Sequence, residues 1–483
     1  MPWVPLAGIV RRERGLRPDV ADRLPPIMTT DRTGLRAFAL RLFTAGVAAV
    51  EPASAVNAHL RLVGGLLECG PAHAPALWLP LRPAARLTVI AAGKAAVPMA
   101  EAAATILGNR IGHSVVVTKH GQVGSSASGN RLNVITAGHP VPDGASEVAA
   151  RLVGAAVTRG ASHDLVLVLL SGGASALLAA PLPGITLEDK QTTTSLLLAS
   201  GLPITAVNAV RKQLSALKGG QLTRRAAPAT VVTFALSDVP GDDWGTIGSG
   251  PTSADPGTRA DAWKVIESAG LTARLPPAVR KRLAPGEDVQ ADTPKPGDPS
   301  FARNHRILVG SNAQAVAAVH ANARDAGANT QIWQRGLHGE AAHTARAFVA
   351  AARALRASTP AGRLFCLVAG GETTVTLGDH PGRGGRNQES ALAAAELLAE
   401  SADDLVILAA GTDGGDGPTD AAGGIVDGGT WSRARVCGRD PGRHLAGHDA
   451  YPLLDATGDL LRTGQTGTNV MDLAIAVGTG AAS

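Results

Sequence analysis

The chain has 483 residues, 45% of them hydrophobic and 18% charged, with a net charge of +5 and a mean hydropathy of +0.10. That balance permits large buried cores over two to four domains and excludes an intrinsically disordered chain. An aromatic content of 3%, with one tyrosine, argues against a stacking platform for nucleic acid, and the arginines are spread widely enough to read as a solvated surface.

Residues 1–30 carry charge and proline but no apolar signal-peptide centre. They read as a disordered tail, with Met28 as an alternative start. A helical pattern begins near Thr33 and runs through LRAFALRLFTAGVAAV. From there, short apolar runs alternate with alanine-rich helical stretches. The strand candidates are residues 87–92, 114–118, 164–170, 230–236, 306–310, 329–333, 364–370, 404–411 and 470–477. Runs apolar on both faces suit central strands of a parallel sheet, and helices between them suit crossovers. The expected class is therefore α/β, three-layered. The stretch APGEDVQADTPKPGDPS has four prolines and no core pattern, which places a linker at 285–299 between domains 31–284 and 300–483.

No apolar run reaches the roughly 18 residues needed to span a bilayer. The three cysteines, Cys69, Cys366 and Cys437, form no CxxC pair. They suggest neither a zinc site nor a disulfide frame, which is compatible with a cytoplasmic protein.

In open α/β sheets, ligands bind beyond the C-terminal ends of strands, so the residues after each strand candidate carry the functional argument. After 87–92 comes Gly93-Lys94, placing a lysine at a helix start where it can meet a phosphate. After 164–170 comes Ser171-Gly172-Gly173-Ala174-Ser175, which offers backbone amides at a helix N-terminus or simply makes a tight turn. After 230–236 come Asp238 and Asp242, which suit a magnesium ion, a substrate hydroxyl proton or an Asx turn. After 364–370 comes GETTVTLGDHPGRGGRNQE, with Glu372, Arg383, Arg386, Asn387 and Glu389 among glycines, an anion-handling loop. After 404–411 comes TDGGDGPTD, where Asp413, Asp416 and Asp420 form a turn or a calcium-type loop without the EF-hand spacing. Asn208, Lys212 and Ser215 lie at i, i+4, i+7 on one helical face, either solvated or lining a cleft. His139, between two prolines of AGHPVPD, is an acid or base candidate but reads better as a hydrogen-bonded structural histidine. Walker, HExxH and GxSxG patterns are absent, as is an exact GxGxxG; GSGPTS at 248–253 comes nearest, after a loop rather than a strand. An NAD(P)H-dependent hydroxypyruvate reductase, the main alternative, needs that dinucleotide fingerprint.

AAGKAA, GHPVPD, SGGASALL, NAVRKQLSALKGGQL, LSDVPGD with GSGPT, GGETTVTL with GRGGRNQE, GTDGGDGPTDAAGG and TGTNVMDL occur in that order. Together, over about residues 33–477, they resemble the class II glycerate 2-kinases of the MOFRL family. The resemblance implies a Rossmann-like N-terminal domain, a smaller MOFRL-type α/β C-terminal domain and an active site in the cleft. It implies phosphorylation of D-glycerate at its 2-hydroxyl, with ATP and Mg2+ as cofactors. Lys94, Asp238 and one arginine of GRGGRNQE, with Arg386 preferred over Arg383, are the implied catalytic residues. Ser171 to Ser175, Asn208, Lys212, Glu372, Arg383 and Asp413 are the expected cofactor-binding positions, with Asp238 and Asp242 at the metal. The expected partners are small molecules, glycerate and ATP, with neither nucleic acid nor membrane; a homodimer is left open.

Overall fold

The computed structural model describes residues 31–122, 132–158, 160–286, 292–378, 380–399 and 404–481. The expected tail over 1–30, with Met28, lies outside the described residues. The chain divides into two compact units, Val50–Ser311 and a second made of the chain up to Ala49 with Asn312–Ser483.

The unit over 50–311 begins with a small antiparallel sheet of β1 (Leu60–Val63), β2 (Leu66–Cys69) and β3 (Leu77–Pro80). Its main sheet holds β4 (Leu87–Ala92), β5 (Ile111–Lys119), β6 (Val134–Ala137), β7 (Leu165–Leu170), β8 (Thr230–Leu236) and β9 (Asn304–Gly310). All are parallel, in the order β6-β5-β4-β7-β8-β9. Every residue of β4, β7 and β8 is buried, as helices on both faces of a parallel sheet require. The chain fills the sheet outward from β4 to β6, then crosses back to β7 and fills the other half. β4 and β7 therefore flank the switch point of a doubly wound, Rossmann-type order, where a crevice opens at the carboxyl ends. A separate helical cluster, from Leu187–Ala199, Ile204–Gln213, Arg259–Ser268 and Pro277–Leu283, buries Leu197, Val207, Val210, Leu214, Ile266 and Val279.

The other unit is built on β10 (Asn329–Leu337), β11 (Leu364–Gly371), β12 (Val406–Gly411), β13 (Gly423–Asp427), β14 (Leu460–Leu461) and β15 (Asp472–Thr479), in the order β10-β11-β15-β12-β13-β14. The parallel sheet expected from the apolar runs is not found here. β10 and β11 are parallel, but β15 lies antiparallel between β11 and β12, and β13 and β14 are antiparallel too. Apolarity on both faces reports burial, not strand direction. Because β15 is reversed, its first residue, Asp472, sits opposite both Gly371 and Gly411. An acid thus stands beside the carboxyl ends of β11 and β12.

The helix Arg32–Ala48 packs in this second unit, against the helix Asn312–Asp325 and strands β12 and β15. It buries Leu35, Phe38, Leu42 and Phe43. Arg36 pairs with Asp427 at 2.6 Å and Asp459 at 2.8 Å, and Arg433 grips both acids from the other side. The partition differs from the expected boundary at 285–299. Strand β9, expected in the C-terminal domain, extends the first sheet beside β8. In the expected linker, Thr293 is buried, donates to Asp255 and accepts from Gln213.

Phe38→Ala removes a fully buried aromatic ring. A loss of about 3–5 kcal/mol is expected. Hydrogen exchange should show it as reduced protection in β12 and β15 with β4 and β7 unchanged; loss spread equally over both units would contradict this packing.

Candidate active site

At the switch point the ends of β4 and β7 are stitched together. Ser171 N–H donates to the Ala92 carbonyl at 3.0 Å, Lys94 N–H to the Gly172 carbonyl at 2.8 Å, and Ala95 N–H to Ser171 Oγ at 3.0 Å. Gly93 has φ +131°, and a Cβ there would overlap the Ser171 hydroxyl and carbonyl, so only glycine fits. Gly173, at φ +87°, is flanked by the His139 ring and the Lys94 side chain: a Cβ on it would lie 3.0 Å from His139 Nε2 and 3.6 Å from Lys94 Cγ. His139, expected to be structural, therefore faces the same loop as Lys94. Burial lowers its pKa, with Lys94 and then Lys119 adding to the effect, so the imidazole is neutral at pH 7. The ends of β4, β5, β6 and β7 thus bring together Lys94, Lys119, His139 and the Ser171–Gly173 turn.

The turn is less free than the sequence suggests. The helix after it is only Ala174–Leu177, and the amides of Ala174 and Ala176 already donate to the Ser171 and Gly173 carbonyls. Ser175 faces inward. Its hydroxyl accepts from Arg211 at 2.8 Å and Lys218 at 3.1 Å, and lies 2.8 Å from Ser249 Oγ.

Asn208 is buried, and its Oδ1 accepts from Arg211 Nη1 at 3.2 Å and Ser249 Oγ at 3.3 Å. Lys212 points elsewhere, 3.4 Å from the buried carboxylate of Asp255. Ser215 is buried and receives the amides of Leu217 and Lys218. The three residues of the expected face thus have separate partners. After strand β8, Asp238 is half-buried, and Asp242 sits in left-handed backbone at φ 55°, an uncommon conformation for a non-glycine residue.

In the other unit, Arg386 opens the helix Arg386–Ala399. Its Nε and Nη2 bind both oxygens of Asp472 at 2.5 and 2.9 Å, and its Nη1 lies 3.0 Å from Glu372. Burial opposes its charge, but the hydrogen bonds and charge of Asp472, with Glu372, hold its pKa above the ordinary value. Arg383 is exposed; its guanidinium lies 3.9 Å from the Tyr451 ring centre, and its amide donates to Asp449. The structure thus distinguishes the two arginines: one is clamped by carboxylates, the other stacked on a ring.

Asp416 is buried beneath the same helix start, accepting from the amides of Asn387 at 3.1 Å and Gln388 at 2.9 Å. Asp413 receives the Gly415 amide at 3.0 Å, the geometry of an Asx turn. The expected calcium-type loop does not converge. Asp420 binds Tyr451 and Arg462 instead, and among the described residues no group of three or more His, Cys, Asp or Glu could hold a metal.

These features define a two-unit α/β protein with charged side chains at the strand ends of each sheet. Family matching agrees. Residues 38–284 match a domain of unknown function (DUF4147), and residues 365–472 match the MOFRL family. A D-glycerate 2-kinase of Thermotoga maritima is 41% identical over 392 residues, covering 81% of this chain and 90% of that protein. A protein of Agrobacterium vitis named as a hydroxypyruvate reductase is 39% identical over 93% of this chain and 96% of its own. The crystal structure of a glycerate kinase from Thermotoga maritima superposes with a TM-score of 0.79 at 37% identity, covering 92% of this chain and 99% of that one. The chain belongs to the MOFRL family of class II glycerate 2-kinases.

Sequence reasoning assigned no role to Asp472 or Lys119. Asp472 is an acid inside the apolar run VMDLAIAV, and Lys119 directly follows SVVVT. A charge at the end of an otherwise apolar strand was the available signal.

Asp416 supplies a test of the helix start. Burial, partly offset by the two amides, raises its pKa to about 6. Its ionised form is therefore disfavoured in the fold, and stability falls as pH rises from about 4 to about 6. Relative to Asp416→Asn, the wild type should gain on the order of 2 kcal/mol as pH drops through that window. Parallel urea-stability curves for the two proteins would contradict the assignment.

Proposed function

We propose that this chain phosphorylates D-glycerate at its 2-hydroxyl, converting ATP to ADP and forming 2-phosphoglycerate. The names of its relatives support glycerate and phosphoryl transfer. The observation that carries the reading is Lys94 beside the Ser171–Gly173 turn at the switch point, next to a histidine kept neutral. Phosphoryl transfer needs charge neutralisation and alignment more than covalent steps by the protein. The glycerate 2-oxygen attacks the γ-phosphorus, and the bond to the β-phosphate oxygen breaks. Lys94 neutralises the migrating group while the turn supports the triphosphate. Asp238 orients the 2-hydroxyl and receives its proton. Arg386, held in a fixed orientation by Asp472 and Glu372, binds the substrate carboxylate or the migrating phosphoryl group. His139, being neutral, adds no fixed charge and keeps a hydrogen-bonding nitrogen beside Gly173.

Magnesium fits this donor set only as an ion arriving with the nucleotide. It takes one or two carboxylates plus phosphates and retains waters, and Asp238 and Asp242 on one loop meet that need. When bound, it supplies neutralisation of the phosphate oxygens. The free state of all three cysteines supports a reducing, cytoplasmic setting.

The reductase reading gains nothing from the Rossmann order. The amides of the first strand-to-helix turn, which would cradle a dinucleotide pyrophosphate, are already bonded to Gly172 and Ser171. Purified protein with MgATP and D-glycerate should give 2-phosphoglycerate, identified by phosphorus NMR. Oxidation of NADH by hydroxypyruvate without ATP would overturn the reading. Lys94→Ala should lower kcat by about two orders of magnitude or more. Near-normal turnover would remove Lys94 from the mechanism.

A further inference from the structure

Behind the Ser171–Gly173 turn lies a cluster of three cationic side chains that this mechanism leaves unused. Lys190 comes from the helix Leu187–Ala199, Arg211 from Ile204–Gln213, and Lys218 from the loop after it. Lys190 and Lys218 are buried. The three meet neutral oxygens only. Arg211 donates to Asn208 Oδ1 and Ser175 Oγ, Lys218 to the Ser175 carbonyl at 2.6 Å and its hydroxyl at 3.1 Å, and Lys190 to the Ala180 carbonyl at 3.5 Å. Among the described residues none of them pairs with a carboxylate, although Lys212, one position from Arg211, has Asp255. Buried cations are ordinarily matched by an anion, because desolvation without a counter-charge is costly.

The oxygens at the centre are held at some conformational cost. Ser249, whose hydroxyl meets both Ser175 and Asn208, has φ 64°. Left-handed backbone at a non-glycine residue persists where its surroundings impose it and clusters at ligand clamps. Ser175 and Arg211 are only partly buried, so the cluster can be reached from solvent. Ser175 lies two residues beyond Gly173, the glycine that Lys94 and His139 flank.

We propose that Arg211 and Lys218, converging on Ser175, with Lys190 beside them, form a seat for a small oxyanion: a carboxylate or phosphate group of the substrates. This rests on the proposed kinase reading and assigns that site an anion-holding wall beyond Lys94. The charge state of the cluster supports it. Burial, then Arg211, lowers the Lys190 pKa to about 7, and burial with Arg211 and Lys190 places Lys218 well below its ordinary value. The groups facing these amines are Arg211, each other, and the neutral Ser175, Ser249, Asn208 and Ala180 carbonyl. An arriving anion favours the ammonium forms, so binding draws protons in.

Two measurements decide it. The first uses wild-type protein without nucleotide, titrated calorimetrically with glycerate and with inorganic phosphate at pH 7.5 in buffers of different ionisation enthalpy. Uptake of a fraction of a proton by at least one ligand is expected. The second is the kinetics of Arg211→Gln. One KM, for glycerate if the seat holds the carboxylate or for ATP if it holds a phosphate, should rise about tenfold or more, with the other within twofold and partial recovery in Arg211→Lys. No proton uptake, together with both KM values within twofold of wild type, would overturn the seat whatever happens to kcat. If Arg211→Gln does not fold, the kinetics of Lys190→Gln take its place, and both KM values within twofold of wild type would overturn the seat. If wild-type protein does not phosphorylate glycerate while Arg211→Gln weakens phosphate binding, the seat stands and the kinase reading falls.

Discussion

Gly93 and Ser171 share a space too small for a methyl group. Adjacent parallel strands whose crossovers leave in opposite directions open a crevice at their carboxyl ends, and here the two ends are pulled together across it. Ser171 occupies the space left by the missing Cβ, its hydroxyl receives the Ala95 amide, and Gly172 receives the Lys94 amide. Lys94 is therefore held just before the helix Ala96–Leu107, beside Gly173 and His139. The same closeness uses up the amides that a dinucleotide would need, so a fold often associated with NAD presents a lysine and a turn instead.

Charge arrangement obeys different rules in the two units. Around the switch point, Lys94 and Lys119 act together on His139, and among the described residues Arg211 and Lys218 meet one serine, with Lys190 close by, and no carboxylate pairs with these three. In the second unit the cation is over-matched. Arg386 meets Asp472 and Glu372, with Asp416 close enough to contribute to its charge balance. An arginine gripped by two acids is oriented but not spare.

Much of this was readable in the sequence, for a physical reason. Buried parallel strands are apolar on both faces, so β4 and β8 fall where the runs at 87–92 and 230–236 placed them. The residues just past the strand ends, Gly93-Lys94 and Ser171-Gly172-Gly173, mark the crevice in one dimension. Strand direction left no such trace, and so Asp472, which reaches the edge only because β15 is reversed, received no role. Helical phase misled at Asn208 and Lys212. Val207, Val210 and Leu214 take the core face, which leaves Asn208 beside Arg211 and turns Lys212 toward Asp255. Short strands such as β1 to β3, and the glycine-led β13, lack the length or hydrophobicity to announce themselves. Proline-rich sequence was read as a linker, whereas Thr293 within it is buried and hydrogen-bonded.

The central claim is that strand ends at the switch point hold the phosphoryl group that moves. A crystal structure with D-glycerate and a non-hydrolysable ATP analogue tests it most directly. The γ-phosphate should lie within hydrogen-bonding distance of Lys94 Nζ, with the glycerate 2-hydroxyl near Asp238. A nucleotide bound away from the Ser171–Gly173 turn, with Lys94 touching neither ligand, would contradict it.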